Sequence, residues 1–255
     1  MTNPMHDPLL VLALTFVALW LSELIGGSIL KRRKDLDAGS REDFGIIVAA
    51  TLTLLGLLIG FSFSMAISRY DQRKSYEEAE ANAIGTEYVR ADLLPAGDAA
   101  KVRTLLREYL DQRILFYTTR DGQQLHQVNS KTAQLQDELW SAVRVPASTQ
   151  PTPVVALAVS GMNDVLNSQG YTQAAWWNTI PPAAWALMAA IAVCCNLLVG
   201  YGARPGRAKG YLFLVLPLVV SVAFYLIADL DSPRRGIIRV QPQNLLSLSQ
   251  SLQAH

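Results

Sequence analysis

The sequence has 255 residues, of which 51% are hydrophobic and only 17% are charged. A soluble domain carries about a quarter charged residues, so this composition indicates a membrane protein. The 22 basic and 21 acidic residues leave a net charge of +1, which excludes the strong basic field that attracts nucleic acid. The only two cysteines are the neighbours Cys194 and Cys195, which excludes a disulfide scaffold.

Four apolar runs are each long enough to cross the hydrocarbon core of a bilayer as a helix. In chain order they are residues 9–30, 44–67, 180–203 and 211–228. The first run contains one charged residue, Glu23, and the other three contain none. The first run also lacks the basic segment of a signal peptide, so we interpret it as a retained helix.

The spacing of these runs predicts an all-α membrane protein with four transmembrane helices in two hairpins. The expected domains are a first hairpin at 9–67, a helical extramembrane domain at 68–179, a second hairpin at 180–228 and a C-terminal tail at 229–255. The extramembrane domain is thus inserted between spans 2 and 3. Trp176 and Trp177 are predicted to anchor the third span at the interface.

The inserted block has helical patterning throughout. No proline occurs between Arg69 and Leu94, so the second span is expected to continue unbroken to Pro95. Apolar periodicity predicts three further helices at 100–118, 123–143 and 153–166, with the last two separated by the stretch 146–153. No β-type alternation of useful length is present.

The positive-inside rule gives only a weak orientation. Eight basic residues lie in the short loops between paired spans, and six lie near span ends on the opposite face. The eight are Lys31, Arg32, Arg33, Lys34, Arg41, Arg204, Arg207 and Lys209. The count leans toward an extracytoplasmic block, but the side of the 68–179 domain stays open.

The sequence lacks the usual catalytic signatures. It contains no Gly-rich phosphate loop, HExxH, CxxC or GxSxG motif, and His6, His126 and His255 are too scattered for a histidine metal site. We interpret acid pairs such as Glu77-Glu78 as solvated helix faces. We therefore expect no enzyme activity, no catalytic residue, no cofactor and no metal.

Glu23 is a candidate intramembrane acid. A carboxylate inside a bilayer is costly and is a functional hypothesis by default, here the handling of protons or cations. The alternative is that the span ends earlier, as Gly26-Gly27 suggests, and that Glu23 lies near the interface.

The second span carries two patterns of interest. Gly56 and Gly60 form a small-xxx-small pair that lets another helix approach closely. A stripe at helical spacing presents apolar side chains flanked by hydroxyls, which suits the gate of a pore. The stripe consists of Thr53, Leu57, Phe61 and Ser64. Ordinary helix packing is the alternative explanation.

Gly60-Phe61 followed by Arg69-Tyr70 resembles the pore-helix signature of the bestrophin family. The runs SRYDQRK at 68–74, EANAIGTEYVRADLLP at 80–95 and DLDSPRRGIIRV at 229–240 are similar to bacterial bestrophin-like membrane proteins. The resemblance implies an ion channel in a bacterial inner membrane. It also implies a homo-oligomer, expected to be a pentamer, around one axial pore lined by the second span. The expected partners are copies of itself, membrane lipids and small inorganic ions, and no nucleic acid.

The resemblance also implies roles for charged residues near the membrane. Arg69 would stand at the pore mouth, where it holds anions or pairs with Asp71 or with an acid of the tail. The tail offers two acids and two bases for such an ion-pair latch, namely Asp229, Asp231, Arg234 and Arg235. Eukaryotic bestrophins bind calcium through a dense acidic cluster after the fourth span, whereas this tail has only the two aspartates, so calcium gating is not expected.

Two alternatives to the channel stay open. One is a non-conducting membrane-anchored helical scaffold or stress sensor, in which the spans only anchor the polar block. The other is a proton-coupled transporter that uses Glu23. The family contains both anion and cation channels, so the resemblance does not fix ion selectivity.

Overall fold

The computed structural model describes residues 7–30, 38–203 and 213–253, and 89% of these residues are helical. Its helices are α1 (Pro8–Ile25), α2 (Ala38–Arg90), α3 (Ala96–Thr118), α4 (Gly122–Thr149), α5 (Pro153–Trp177), α6 (Pro182–Gly202), α7 (Val215–Asp231) and α8 (Gln243–Gln253). A π-helical turn, Gly26–Leu30, follows α1, and a 3-10 turn, Ala91–Leu93, follows α2. No strand occurs in the described ranges, so the all-α prediction is confirmed.

Some of the predicted features lie outside the described residues. They are the basic loop at 31–34, the loop at 204–210, the first two residues of the predicted fourth span, and the terminal histidines His6 and His255.

Several helices begin where the sequence supplies an N-terminal cap. The Asp7 carboxylate accepts the Leu10 N–H at 3.4 Å, ahead of Pro8 in the first turn of α1. Asp121 and Thr152 cap α4 and α5 in the same way, with acceptor distances of 3.0 and 3.2 Å. A side-chain oxygen at this position satisfies a backbone N–H that the helix itself leaves free.

Three described stretches are long and apolar enough to cross a membrane: Pro8–Ser28, Gly39–Leu93 and Pro153–Gly202. The third covers α5 and α6, which are separated by residues 178–181. The described part of the predicted fourth span is α7, which has 17 residues and is not among the three. The four-span organisation and the inserted domain therefore stay predictions.

The helix boundaries differ from the predicted ones at two places. As expected, α2 continues beyond the second span: the helix has 53 residues in total and ends at Arg90, and the 3-10 turn Ala91–Leu93 follows it just before Pro95. The predicted break at 146–153 is wrong in part, because α4 includes Pro146 and ends only at Thr149. Proline removes one backbone donor, and α4 nevertheless continues past Pro146 to its end. Similarly, α5 extends past the predicted end at 166 to Trp177.

The chain divides into two compact units. The first comprises the described residues of Met1–Arg69 and Thr179–Arg239, where α1 packs against both α6 and α7. Its helices approach closely at glycines: a Cβ on Gly26 would collide with the Leu197 carbonyl oxygen, and one on Gly200 with that of Glu23. Only glycine allows the backbones of α1 and α6 to meet at this distance.

The second unit comprises Tyr70–Asn178 and the described residues of Val240–His255. Within it α3 packs against α4 and α8, and α4 packs against α5. An aromatic cluster of Phe116, Tyr117 and Trp176 has ring centroids 4.9 to 5.4 Å apart. Trp176 is therefore part of this core and is not an exposed interfacial anchor, whereas Trp177 is 74% exposed.

Candidate functional site

The predicted stripe of α2 lies on the face that points away from the rest of its own unit. Leu55, Ser62 and Ala66 form the buried face of this segment. At 100° per residue, the stripe residues lie about 120° to 180° from Leu55 around the helix axis. All four stripe residues, Thr53, Leu57, Phe61 and Ser64, are exposed. The exposed fraction is 53% for Leu57 and 60% for Phe61. Within one chain, this apolar face is uncovered.

The two glycines of the second span also face open space. A Cβ built on Gly56 or on Gly60 would meet no atom of the described residues within 4 Å. Neither glycine therefore mediates packing inside the chain. The Thr53 hydroxyl is satisfied locally, because it donates to the Ala49 carbonyl at 2.8 Å.

Glu23 lies inside the first unit, next to the close approach of α1 and α6. Its side chain is buried, and α1 continues past it to Ile25. Among the described residues, its Oε2 atom has no hydrogen-bond partner. The Glu23 carboxyl is thus enclosed by protein rather than exposed on the surface of the bundle.

Arg69 contacts the tail rather than Asp71. Its Nη1 donates to Oδ1 of Asp231 at 3.3 Å, and the Ile180 N–H donates to Oδ1 and Oδ2 of Asp231 at 3.1 and 2.9 Å. The structure thus brings together the end of the second span, the residues before α6 and the end of α7. Asp71 is exposed on α2.

Asp229 holds the loop that follows α7. Its two carboxylate oxygens accept the N–H groups of Ile237 and Ile238 at 2.7 and 2.8 Å. A Cβ on Gly236 would collide with the Asp229 carbonyl oxygen, so this loop passes close to Asp229 only because residue 236 is glycine. Of the two predicted tail bases, Arg234 is half-buried and Arg235 is exposed.

A model of the Bestrophin-like domain family matches residues 9–245. The chain belongs to this family. No curated protein matches the sequence. Among solved structures, the fold is similar to a bacterial Bestrophin homolog from Klebsiella pneumoniae, with 13% identity, a TM-score of 0.64, and 96% of this chain and 97% of that chain covered. A single-substitution variant of that homolog gives 13% identity, a TM-score of 0.63, and coverages of 97% and 98%.

The resemblance to eukaryotic bestrophins implies a calcium site at the acidic residues that follow the fourth span. In this bestrophin-like chain those residues are Asp229 and Asp231, and every one of their four carboxylate oxygens accepts an N–H donor. Calcium requires oxygen ligands with free lone pairs, whereas N–H donors and the Arg69 guanidinium present positive charge. The residues present do not fit a calcium ion.

Four buried charges of the bestrophin-like chain were not predicted. They lie on α2 within the second unit: Arg73, Glu77, Glu80 and Glu87. The interpretation of Glu77-Glu78 as a solvated pair is wrong for Glu77, which is 1% exposed, because its carboxylate accepts the Asn244 and Leu245 N–H groups at 2.9 and 3.0 Å. It therefore caps the N-terminus of α8.

Arg73 and Glu80 are satisfied differently. Arg73 donates to the carbonyls of Ala175 and Asn178, both at 3.2 Å, at the end of α5. Glu80 pairs with the fully buried Arg113 of α3. The spacing along α2 was the available signal, since the charged positions 73, 77, 80 and 87, together with the apolar position 84, follow one another at intervals of three or four residues on one face.

Two hydroxyl donors complete the network at Glu80. Tyr117 and Thr172 donate to its Oε2 at 3.2 and 3.1 Å, so the carboxylate joins α2, α3 and α5. Burial raises the pKa of Tyr117, and the negative charge of Glu80 raises it further. Burial alone would lower the pKa of Arg113, but the pairing with Glu80 more than offsets this and raises it. Both groups therefore remain proton donors at neutral pH.

Proposed function

We propose that this chain is one subunit of a homo-oligomeric ion channel whose pore is lined by α2. In this proposal Thr53, Leu57, Phe61 and Ser64 face the pore, and Phe61 forms its apolar constriction. The bestrophin family resemblance adds the expectation of a pentamer in a bacterial inner membrane. It also adds the four-span organisation, with α7 as the fourth span and the polar block outside the membrane.

One observation carries the proposal: the stripe lies opposite the buried face of α2. Only 6% of the most apolar 18-residue window of this helix is buried within the chain. Exposed apolar side chains on a membrane helix contact lipid, another subunit or a dewetted pore. The Ser64 hydroxyl at one end of the stripe favours a partly hydrated pore over lipid, whereas the Thr53 hydroxyl, bonded to the Ala49 carbonyl, is compatible with both.

The glycines support self-association. Gly56 and Gly60 pack against none of the described residues, and small residues four apart let neighbouring membrane helices approach closely. A second copy of the chain is the partner that a ring of α2 helices requires. In this arrangement the Arg69–Asp231 pair is the latch at the end of the pore helix, rather than a free selectivity element.

Planar-bilayer recording of the purified protein tests the proposal. Phe61→Ala should raise single-channel conductance, because it removes a ring from the constriction. Phe63→Ala is the matched control, since it deletes the same side chain from the same helix about 160° around the axis. Absence of current under every ionic gradient, or equal effects of the two substitutions, would remove the channel and favour the scaffold.

Glu23 favours a second candidate, a proton-coupled transporter. A buried acid whose Oε2 has no partner among the described residues is the kind of group that carries protons through a membrane protein. Transport that fails in Glu23→Gln but persists in Phe61→Ala would select this candidate over the channel.

A further inference from the structure

Glu87 differs from the other buried charges of α2. Arg73, Glu77 and Glu80 all form hydrogen bonds, as described above. The Glu87 side chain is 0% exposed, yet neither of its carboxylate oxygens has a hydrogen-bond partner in the part of the chain that the structure describes. An ionised carboxylate in such a place is strongly destabilising, so the site is built for a neutral acid.

The Glu87 carboxyl lies directly against the backbone of α5. A Cβ built on Gly161 would collide with Oε2 of Glu87 and would stand 2.7 Å from Nη1 of Arg90. Gly161 thus makes the room for both side chains. Arg90 pairs instead with Asp164, one helical turn along α5, at 4.0 Å and near the surface.

The charged groups that face Glu87 shift its pKa in opposite directions. The pKa of Glu87 is raised to about 8, mainly by burial; Arg90 on α2 lowers this pKa and Asp164 on α5 raises it, both by less than burial does. The nearby basic residue of α3, Arg103, is paired with Asp92. With this pKa, about nine in ten Glu87 side chains are protonated at pH 7.

We propose that Glu87 is a proton-operated switch: the neutral carboxyl packs against α5 at Gly161, and loss of its proton to solvent releases this contact. The O–H bond of the acid is the only bond that breaks. The anion requires donors that the buried site lacks. It obtains them by moving to water.

The direction of the pH effect follows from the raised pKa. Below about pH 4.5 the acid is protonated in both the closed and the open contact, so opening does not depend on pH. Between that value and about pH 8 only the open form is ionised, and its population relative to the closed form rises about tenfold per pH unit. Above about pH 8 both forms are ionised and the dependence ends.

Hydrogen–deuterium exchange on the full-length protein in detergent micelles measures this opening. After correction for intrinsic exchange, protection of the amides around Glu87 and Gly161 should fall about tenfold per pH unit from about pH 5 to 8. Glu87→Gln, which mimics the neutral acid, should keep constant protection over the same range. An equal fall in both proteins would overturn the switch.

Two further variants are expected to shift the upper pH limit of the fall in protection, in opposite directions. They test the proposal even if Glu87→Gln does not fold. Asp164→Asn removes an anion and frees Arg90 for Glu87, so the fall should end at lower pH. Arg90→Gln removes the nearby cation, so the fall should extend to higher pH. Asp111→Asn, at an exposed position on α3, is the control and should change neither limit. Identical limits in all three variants would contradict the proposal.

The consequence for ion flow rests on the proposed channel function, since α2 also carries the stripe at Phe61. Bilayer currents recorded across the same pH range separate the two ideas. Exchange that depends on Glu87 without any current would leave the switch standing and remove the channel. Currents without Glu87-dependent exchange would do the reverse.

Discussion

Replacing Arg113 by methionine would leave Glu80 buried without its counterion. Both side chains are 0% exposed, and the guanidinium also lies over the Phe116 ring with 4.4 Å to its centroid. Removing one partner of a buried ion pair costs about 3–5 kcal/mol. The carboxylate would keep the hydroxyls of Tyr117 and Thr172 as donors, each contributing about 1–2 kcal/mol, so we expect a loss near the lower limit, about 3 kcal/mol.

A double-mutant cycle isolates the pair from the rest of the network. Glu80→Gln alone should cost a similar amount, because it leaves the Arg113 charge buried. In the double variant no buried charge remains and the amide oxygen of Gln still accepts from the hydroxyls. The double variant should therefore lose at least about 2 kcal/mol less than the sum of the two single variants.

The measurement is urea unfolding of the full-length protein in detergent micelles, followed by far-ultraviolet circular dichroism. Lys101→Met on α3 is the control, since it also replaces a long cationic side chain by methionine, but at an exposed position, and should change stability by less than about 0.5 kcal/mol. A loss below about 1 kcal/mol for Arg113→Met, or strict additivity in the cycle, would refute the reasoning.

Three further predictions concern the tail and the helix contacts. Glu77→Ala should release α8 and make the C-terminus sensitive to limited proteolysis, with a stability loss of about 1–2 kcal/mol, whereas Glu78→Ala at the exposed neighbour should not. Gly200→Ala should destabilise the first unit by about 1–3 kcal/mol in thermal melts, because the new methyl group collides with a backbone carbonyl of α1. The control Gly170→Ala on α5, which has open space around it, should be neutral or slightly stabilising. Calcium and a chelator should give the same thermal midpoint, since the carboxylate of Asp229 is already occupied by N–H donors; a calcium-dependent rise would contradict this assignment.

The helical architecture is predictable from the sequence because it depends on local signals. Long uncharged runs are sufficient to predict the long apolar helices, and the absence of proline between Arg69 and Pro95 is sufficient to predict the continuation of α2. The predicted end of α4 is wrong because Pro146 was taken as a break, whereas the helix continues past it to Thr149. The short α8 was not predicted, since its stability depends on the remote carboxylate of Glu77 and not on its own sequence.

In the candidate site, too, features that depend on local signals were predictable and features that depend on remote contacts were not. The stripe through Leu57 and Phe61 follows from helical spacing, and the structure adds that this face is uncovered within the chain. The pairing of Arg69 with Asp231 rather than Asp71 joins residues far apart in sequence, which spacing along the helix does not specify. The contacts of the tail aspartates with N–H donors likewise form only when the chain has folded, so the sequence pattern does not show them.

The charged face of α2 shows why periodicity of apolar residues overlooks part of this core. Arg73, Glu77 and Glu80 occupy positions where a soluble helix usually has leucine or valine, and each forms bonds that join α2 to another segment of the second unit. Such bonds specify one register of packing, because a slipped helix would bury unpaired charges. Glu87 lies on the same face without any such bond among the described residues, so it lowers stability whenever it is ionised. A leucine at this position would avoid that penalty. The presence of an acid there is best explained by what its proton controls, the contact between α2 and α5.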